Sequence, residues 1–241
     1  MRKNIIAAAL ICLCLAGCGA EPVPTAVTTV TTVSTVPTAT VPPETVPPTT
    51  EPPVYVSPVA VEDFLLPLEE FSWERQFAPE FVMVHFTSAI VTNPQEPYFL
   101  PHIRDIFVQY DVSIHYIIQR DGTVHCYVPE NRVAWHAGKG EWKGEEKYLD
   151  AMNQYAIGIE LVGMGSQTDM TAYMTESEYT AIDDSLKGFT PEQYASLKIL
   201  VEDICQRHGI PMDRDHVIGH SEYASRKTDP GELFYWNQII P

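Results

Sequence analysis

Residues 156–162 read Ala-Ile-Gly-Ile-Glu-Leu-Val, an apolar run that predicts a buried β-strand. Alternation along a strand puts Ile157, Ile159 and Leu161 on one face and Gly158 and Glu160 on the other. A carboxylate within such a run is costly to bury unless it is paired or used. Gly158 beside it has no side chain to pack, which can mark the close approach of a ligand.

Phe81 to Phe86 (FVMVHF) predicts a second buried strand that ends on His85 and Phe86. Ile114–Gln119 and Thr123–Val128 flank Asp121-Gly122, which signals a hairpin. Leu100–Tyr110 has helical spacing, with Ile103, Ile106, Phe107 and Tyr110 apolar. The clearest helix opens at Thr190-Pro191-Glu192-Gln193, where Thr190 caps, Pro191 fits the first turn and Gln193 completes a capping box. Its buried face runs Tyr194, Leu197, Val201, Ile204 and His208, and Gly209 ends it. A short strand at Val217-Ile218 and a last helix over 231–239 complete the expected elements. Residues 163–189 read as a polar, irregular insertion with some helical potential. The expected class is mixed α/β (α+β), one domain over 59–241 with a central mixed sheet flanked by helices.

The N-terminal part has a different character. Arg2 and Lys3 precede a run of twelve apolar residues from Ile5 to Ala16. A spanning helix needs about 20 residues, so the run suits a signal peptide over 1–17 instead. It closes on Leu15-Ala16-Gly17-Cys18, which resembles the lipobox of bacterial lipoproteins. That resemblance implies cleavage before Cys18, a lipid anchor on its sulfur, and export to the outer face of a bacterial membrane, toward wall or periplasm. Residues 19–58 follow as a spacer in which Thr, Pro and Val supply 30 of 40 positions. Proline removes backbone donors and fixes φ, so the spacer is expected to be extended. After the signal and Cys18, only Cys126 and Cys205 remain, and the sequence leaves their pairing open.

The 241 residues carry 15 Lys plus Arg against 32 Asp plus Glu, a formal charge of −17. This excludes a protein that lives on a nucleic-acid backbone, which requires clustered cations. The expected partners are therefore not nucleic acids, and a monomer is expected.

Within the domain, His85 ends an apolar strand and His220 follows Gly219 just past Val217-Ile218. Asp229 lies nine residues later, two after Lys227. Two histidines and a carboxylate match the three protein ligands of many catalytic zinc sites. Spacing alone leaves other readings open. His85 could be a satisfied core histidine, and Lys227 a solvated surface charge. Asp229 precedes Pro230, with Glu232 three positions on, and so also reads as the N-cap of the last helix.

Four blocks, taken in order, are similar to the zinc-dependent N-acetylmuramoyl-L-alanine amidases of the amidase-2 type, relatives of the peptidoglycan recognition proteins. They are Val82–Thr87, then Ser113–Gly122 continuing to Ala134-Trp135-His136-Ala137-Gly138, then Asn153–Gly163, and finally Gly219–Gly231. They cover roughly residues 80–236. The resemblance implies that His85, His220 and Asp229 bind one Zn2+ per chain and that Glu160 is the catalytic acid and base. It implies that Lys227 stabilises charge on the reacting carbonyl, and that Trp135 and His136 border the substrate cleft. Some relatives carry a tyrosine where this chain has Ile114, so any role of that group is absent. His115 and Tyr116 read as packing residues, and His102, His125, His208 and His216 as ordinary surface or core histidines.

The function so implied is hydrolysis of the amide between N-acetylmuramic acid and L-alanine of the stem peptide, with peptidoglycan or a muropeptide as substrate. Zinc would acidify water, Glu160 would take its proton and later deliver one to the leaving amine, and Lys227 would share the oxyanion with the metal. A hydrophobic strand should raise the Glu160 pKa, and zinc should lower it. The alternative is a non-catalytic surface lipoprotein that binds peptidoglycan.

Overall fold

Two seven-residue strands, Phe81–Thr87 and Ala156–Val162, lie side by side in the sheet, and each is largely apolar on both faces because both faces are covered. The computed structural model describes residues 57–240. The expected signal peptide, Cys18 and the spacer up to residue 56 lie outside the described residues. The strands are β1 Val61–Asp63, β2 Ser72–Glu74, β3 Phe81–Thr87, β4 Tyr116–Ile118, β5 Val124–Cys126, β6 Arg132–Ala134, β7 Ala156–Val162 and β8 Val217–Gly219. The α-helices are α1 Leu68–Phe71, α2 Leu100–Gln109, α3 Gln167–Met170, α4 Glu176–Thr180, α5 Pro191–His208 and α6 His220–Tyr223.

Six strands form one sheet in the order β1-β5-β4-β7-β3-β8, and β2 and β6 make a separate two-stranded ribbon. β3 runs parallel to β7 and β8, and β7 parallel to β4. β4 and β5 are antiparallel, joined across the expected Asp121-Gly122 turn, where Gly122 adopts φ 86°. The sheet is thus mixed, as expected.

One face of the sheet is covered by α5. Val82, Val84, Ile157, Ile159, Leu161 and Val217 pack against Tyr194, Leu197, Leu200, Val201 and Ile204. The helix starts as its sequence dictates: Gln193 N–H donates to Thr190 Oγ1 at 3.1 Å, and Thr190 N–H donates to Gln193 Oε1 at 3.0 Å. The buried Gln193 also donates from Nε2 to the carbonyls of Ile118 (3.0 Å) and Val162 (2.9 Å), tying the cap to the ends of β4 and β7. Gly209 ends the helix at φ 67°. Cys126 and Cys205 lie in this core as separate buried thiols.

The opposite face is aromatic at one end and polar at the other. Phe81, Met83, Ala156 and Ile218 pack with Trp142, Tyr148, Tyr155 and Tyr223. Toward the C-terminal ends of the parallel strands the same face carries His85 and Glu160. Ligands gather at that end in open α/β sheets.

The last helix is not as expected. Among the described residues after Gly231 there is a single 3₁₀ turn, Trp236–Gln238, whose N-cap is Tyr235 rather than Asp229. Gly231 adopts φ 84°, a left-handed conformation that cannot open a helix. The Asp229 carboxylate also turns inward, away from any cap role. The insertion folds more than expected, with α3, α4 and a 3₁₀ turn at Asp184–Leu186. Both helices open on full capping boxes, at Ser166 and at Thr175.

Remote from the site, the Glu130 carboxylate accepts hydrogen bonds from Arg207 (2.7 Å), His208 (2.6 Å) and the Tyr116 hydroxyl (2.6 Å). Burial opposes its ionisation, but the bonds from Arg207, His208 and Tyr116 outweigh that and hold its pKa well below the usual carboxylate range. A depressed folded-state pKa contributes stability above the unfolded value of about 4.3, and that contribution is lost as the pH falls below it. Glu130→Gln is therefore expected to cost about 1.5–3 kcal/mol at pH 7, with the gap to wild type narrowing by pH 3. Urea unfolding at both pH values measures this, and equal midpoints at pH 7 would refute it.

Candidate metal centre and active site

The sheet register places the chemistry. His85 on β3 lies directly opposite Glu160 on β7, so both side chains project from the same face. β8 ends at Gly219 and His220 is the next residue, at the first position of α6. The loop after α6 returns so that Ser221 N–H donates to the Asp229 carbonyl at 2.9 Å. Gly219 permits this, since a Cβ there would come within 2.7 Å of Pro230 Cδ.

Three ligand atoms converge as a result. His85 Nδ1 and His220 Nδ1 each lie 2.9 Å from Asp229 Oδ2 and 3.0 Å from each other. His220 Nε2 sits 2.9 Å from the Ala137 carbonyl, which can only accept. The ring proton therefore resides on Nε2, and Nδ1 presents a lone pair. Burial, and then the neighbouring His220, lower the His85 pKa to about 4, so its imidazole is neutral near pH 7. Burial would raise the Asp229 pKa, but the interactions with His220 and His85 outweigh it and hold the carboxyl well below the usual range. Two imidazoles and a carboxylate, all within hydrogen-bonding distance of one another, form a group that can hold a metal ion. Nitrogen and oxygen ligands at about 2.0–2.2 Å suit zinc, and atoms 3 Å apart can share one ion at that radius.

One short segment supports both histidines. His136 Nδ1 lies 3.0 Å from His85 Nε2, and the next residue, Ala137, supplies the carbonyl that holds His220. The Asn153 side-chain oxygen accepts from the backbone N–H of both His136 (2.9 Å) and Ala137 (2.8 Å). Outer hydrogen bonds of this kind fix the tautomer and orientation of metal-binding imidazoles. His136, expected at the substrate cleft, does line it, but its ring is also wedged behind His85. The gap at Gly158 is filled by this ring and by Ile114, rather than by a ligand as the sequence suggested. A Cβ at 158 would come within 2.7 Å of His136 Nδ1 and 2.5 Å of Ile114 Cδ1.

Glu160 is buried, and its Oε2 has no hydrogen-bond partner among the described residues. Burial, and then the Asp229 charge, push its pKa well above the usual value, while Lys227 opposes them. The cleft of about 140 Å³ into which it opens is also lined by His85, His220, Asp229, Lys227, Trp135 and His136. Every residue expected to act is thus at one cleft. Trp135 is held at its backbone by Ser113, whose Oγ accepts from Trp135 N–H at 2.7 Å, and its ring lies 5.5 Å from that of Trp73.

His115 is structural. Its Nδ1 accepts from Gly158 N–H at 3.0 Å, and Arg75 lies 3.0 Å from its Nε2. Arg75 itself donates to the carbonyls of Glu130, Gln154 and Ala156. Tyr116 bonds Glu130 on the helix-covered side. His102, His125, His208 and His216 do not line the cleft. Asn153, Arg75 and Ser113 are supports that sequence reasoning did not single out. Asn153 stood within a motif, but nothing in its neighbours signals that its amide reaches back 16 and 17 residues.

The family profile described as N-acetylmuramoyl-L-alanine amidase (Amidase_2) matches residues 75–232. Among curated proteins, the 1,6-anhydro-N-acetylmuramyl-L-alanine amidase AmpD of Haemophilus influenzae is 33% identical over 146 residues, or 60% of this chain and 65% of that protein. The chain thus spans slightly less than two thirds of that relative's length. Among solved structures, an AmpD selenomethionine derivative superposes with TM-score 0.55 at 25% identity, covering 74% of this chain and 92% of the other. The Escherichia coli amidase AmiD, solved with the substrate anhydro-N-acetylmuramic acid-L-Ala-D-γ-Glu-L-Lys, superposes with TM-score 0.50 at 27% identity, covering 67% and 56%. The shared profile and the shared sheet lead to one assignment: the chain belongs to the Amidase_2 family of N-acetylmuramoyl-L-alanine amidases.

Proposed function

We propose that the protein is a zinc-dependent peptidoglycan hydrolase that cleaves the amide between the lactyl group of N-acetylmuramic acid and L-alanine of the stem peptide. One observation carries this reading. A buried carboxylate with an unpartnered oxygen, Glu160, shares a cleft with a convergent His85, His220 and Asp229 group. His85, His220 and Asp229 would hold the ion. Bound there, zinc supplies Lewis-acid polarisation of a carbonyl and makes nearby water more acidic.

The remaining work falls to side chains. Glu160, with a free oxygen and a raised pKa, takes the proton of the attacking water and returns one to the departing L-alanine nitrogen. Lys227 on the same cleft offsets negative charge developing on the carbonyl oxygen. Trp135 and His136 present a wall to the substrate, while His136 and Ala137 keep the two ligand imidazoles in place. Substrate-bound AmiD supports the choice of a muropeptide.

The lipid anchor belongs to the same proposal. Leu15-Ala16-Gly17-Cys18 and the Thr/Pro/Val-rich spacer support an enzyme tethered through Cys18 to a bacterial membrane, with residues 59–241 as the zinc amidase domain facing the wall or periplasm. No helix among the described residues is long and apolar enough to cross a membrane.

The test is to incubate the purified protein with a muramyl-peptide in anhydro and reducing-sugar forms, with and without chelator, and to weigh the products. The expected result is free peptide beginning with L-alanine, abolished by chelator and restored by zinc. Saturable binding without cleavage would favour the non-catalytic peptidoglycan-binding reading and refute the hydrolase.

A further inference from the structure

The insertion after β7 reaches back to the ligand loop through one buried side chain. Asp169 is 5% exposed, and its Oδ2 accepts from Ser166 N–H at 2.8 Å and from Glu232 N–H at 2.9 Å. Its backbone carbonyl accepts from Thr228 Oγ1 at 3.2 Å. Thr228 and Glu232 bracket Asp229-Pro230-Gly231, so Asp169 grips the loop on both sides of the carboxylate that faces the histidines. Ser166 Oγ adds a bond to Glu232 Oε2 at 2.8 Å. Packing agrees with this arrangement. A Cβ at Gly231 or at Gly165 would come within 2.5 Å of the Asp169 side chain, so both turns are closed around it. The insertion is in turn strapped to the body. Arg120 Nη2 donates to the Ser185 carbonyl at 3.0 Å, while Gly188 N–H donates to the Met164 carbonyl at 2.9 Å and closes the base of the insertion itself. Its Met170 and Tyr173 line the cleft.

We propose that Asp169 is a positioning residue for the metal-binding loop, and that through it the insertion sets the placement of Asp229 and Lys227. The proposal rests on the reading of His85, His220 and Asp229 as zinc ligands. Asp169 touches no ligand side chain. It acts by fixing the backbone at 228 and 232, so that Asp229 meets the imidazoles without reorganisation on binding.

Zinc affinity of the full chain, measured by competition with a chromogenic chelator, is the readout, with circular dichroism and thermal unfolding as checks on the fold. Asp169→Ala, which orphans two backbone donors, is expected to bind zinc about tenfold more weakly. Asp169→Asn keeps an oxygen for both donors and is expected to restore wild-type affinity. Thr175→Ala removes the α4 cap in the same insertion, where Glu178 N–H donates to Thr175 Oγ1 at 3.3 Å, without touching the ligand loop. It is expected to leave affinity unchanged.

A folded Asp169→Ala with wild-type affinity overturns the proposal, as does an equal loss in Thr175→Ala. If Asp169→Ala does not fold, Thr228→Val decides. It removes the bond from the Thr228 hydroxyl to the Asp169 carbonyl, so weaker zinc binding supports the proposal and unchanged binding overturns it. Failure of the wild type to bind zinc overturns the metal reading itself, an outcome distinct from the others.

Discussion

Glu160→Gln is expected to bind zinc as wild type does and to lose about 10²–10⁴-fold in kcat, the range for removing a positioned general acid–base. Glutamine has the shape of glutamate but cannot accept and return a proton. Little else should change, because Glu160 Oε2 has no partner to lose among the described residues and the side chain lies outside the ligand triangle. The substitution also removes a cost. Burial raises the Glu160 pKa, meaning that the fold disfavours its ionised form, and an uncharged amide escapes that penalty. The variant should therefore be at least as stable as wild type in the metal-free state. Steady-state cleavage of a muramyl-peptide, paired with zinc content by atomic spectroscopy, separates the two effects. Wild-type turnover would remove Glu160 from the mechanism, and lost zinc would make it a ligand.

His220→Ala is expected to abolish zinc binding, and His85→Ala to do the same. Each removes one of three atoms that meet within 3.0 Å, leaving a histidine and a carboxylate. Thermal unfolding reads the loss directly. An ion that binds only the folded state at one hundred times its Kd adds about 2.7 kcal/mol. For a domain of this size that is a rise in Tm of roughly 5–10 °C. Wild type should show this rise on titration with zinc, and both alanine variants should show none. A variant that keeps the zinc-dependent rise would show that its histidine is not a ligand. His220→Ala should also unfold earlier without metal, because it leaves the Ala137 carbonyl without its imidazole donor.

The residues that announced themselves in the sequence were those at odds with their surroundings. β3 and β7 were visible as apolar runs, and His85 and Glu160 stood out because a polar group there had to be explained. α5 was visible because Thr190, Pro191, Gln193 and Gly209 act locally, within one turn of the helix ends. The three-residue strands β1, β2 and β6 were not visible. β1 is exposed along its length and no periodicity develops in so few residues. The Asp229-Pro230 signature misled because the local grammar of a helix start was intact. What overrode it was tertiary: two histidines claimed the carboxylate, and Gly231 took a left-handed turn. Supports such as Asn153 and Asp169 were invisible for the same reason, since the site segments they hold lie 16 to 63 residues away.

The pairing of His85 with Glu160 across β3 and β7 has a consequence for what can vary around the site. The spacing between a proposed metal ligand and the proposed proton carrier is written into the hydrogen-bond ladder of two adjacent central strands. Side chains alternate every residue, so a one-residue slip of either strand would turn its polar group toward α5 and bury it among leucines and valines. A deletion inside either strand would therefore break this pairing, while the insertion after Met170, beyond the bonds of Ser166 and Asp169 to the 228–232 loop, can lengthen or shorten without altering their separation. Diversification of such a chain is thus channelled into its loops, where it reshapes what enters the cleft and leaves the ligand–carboxylate pair in register.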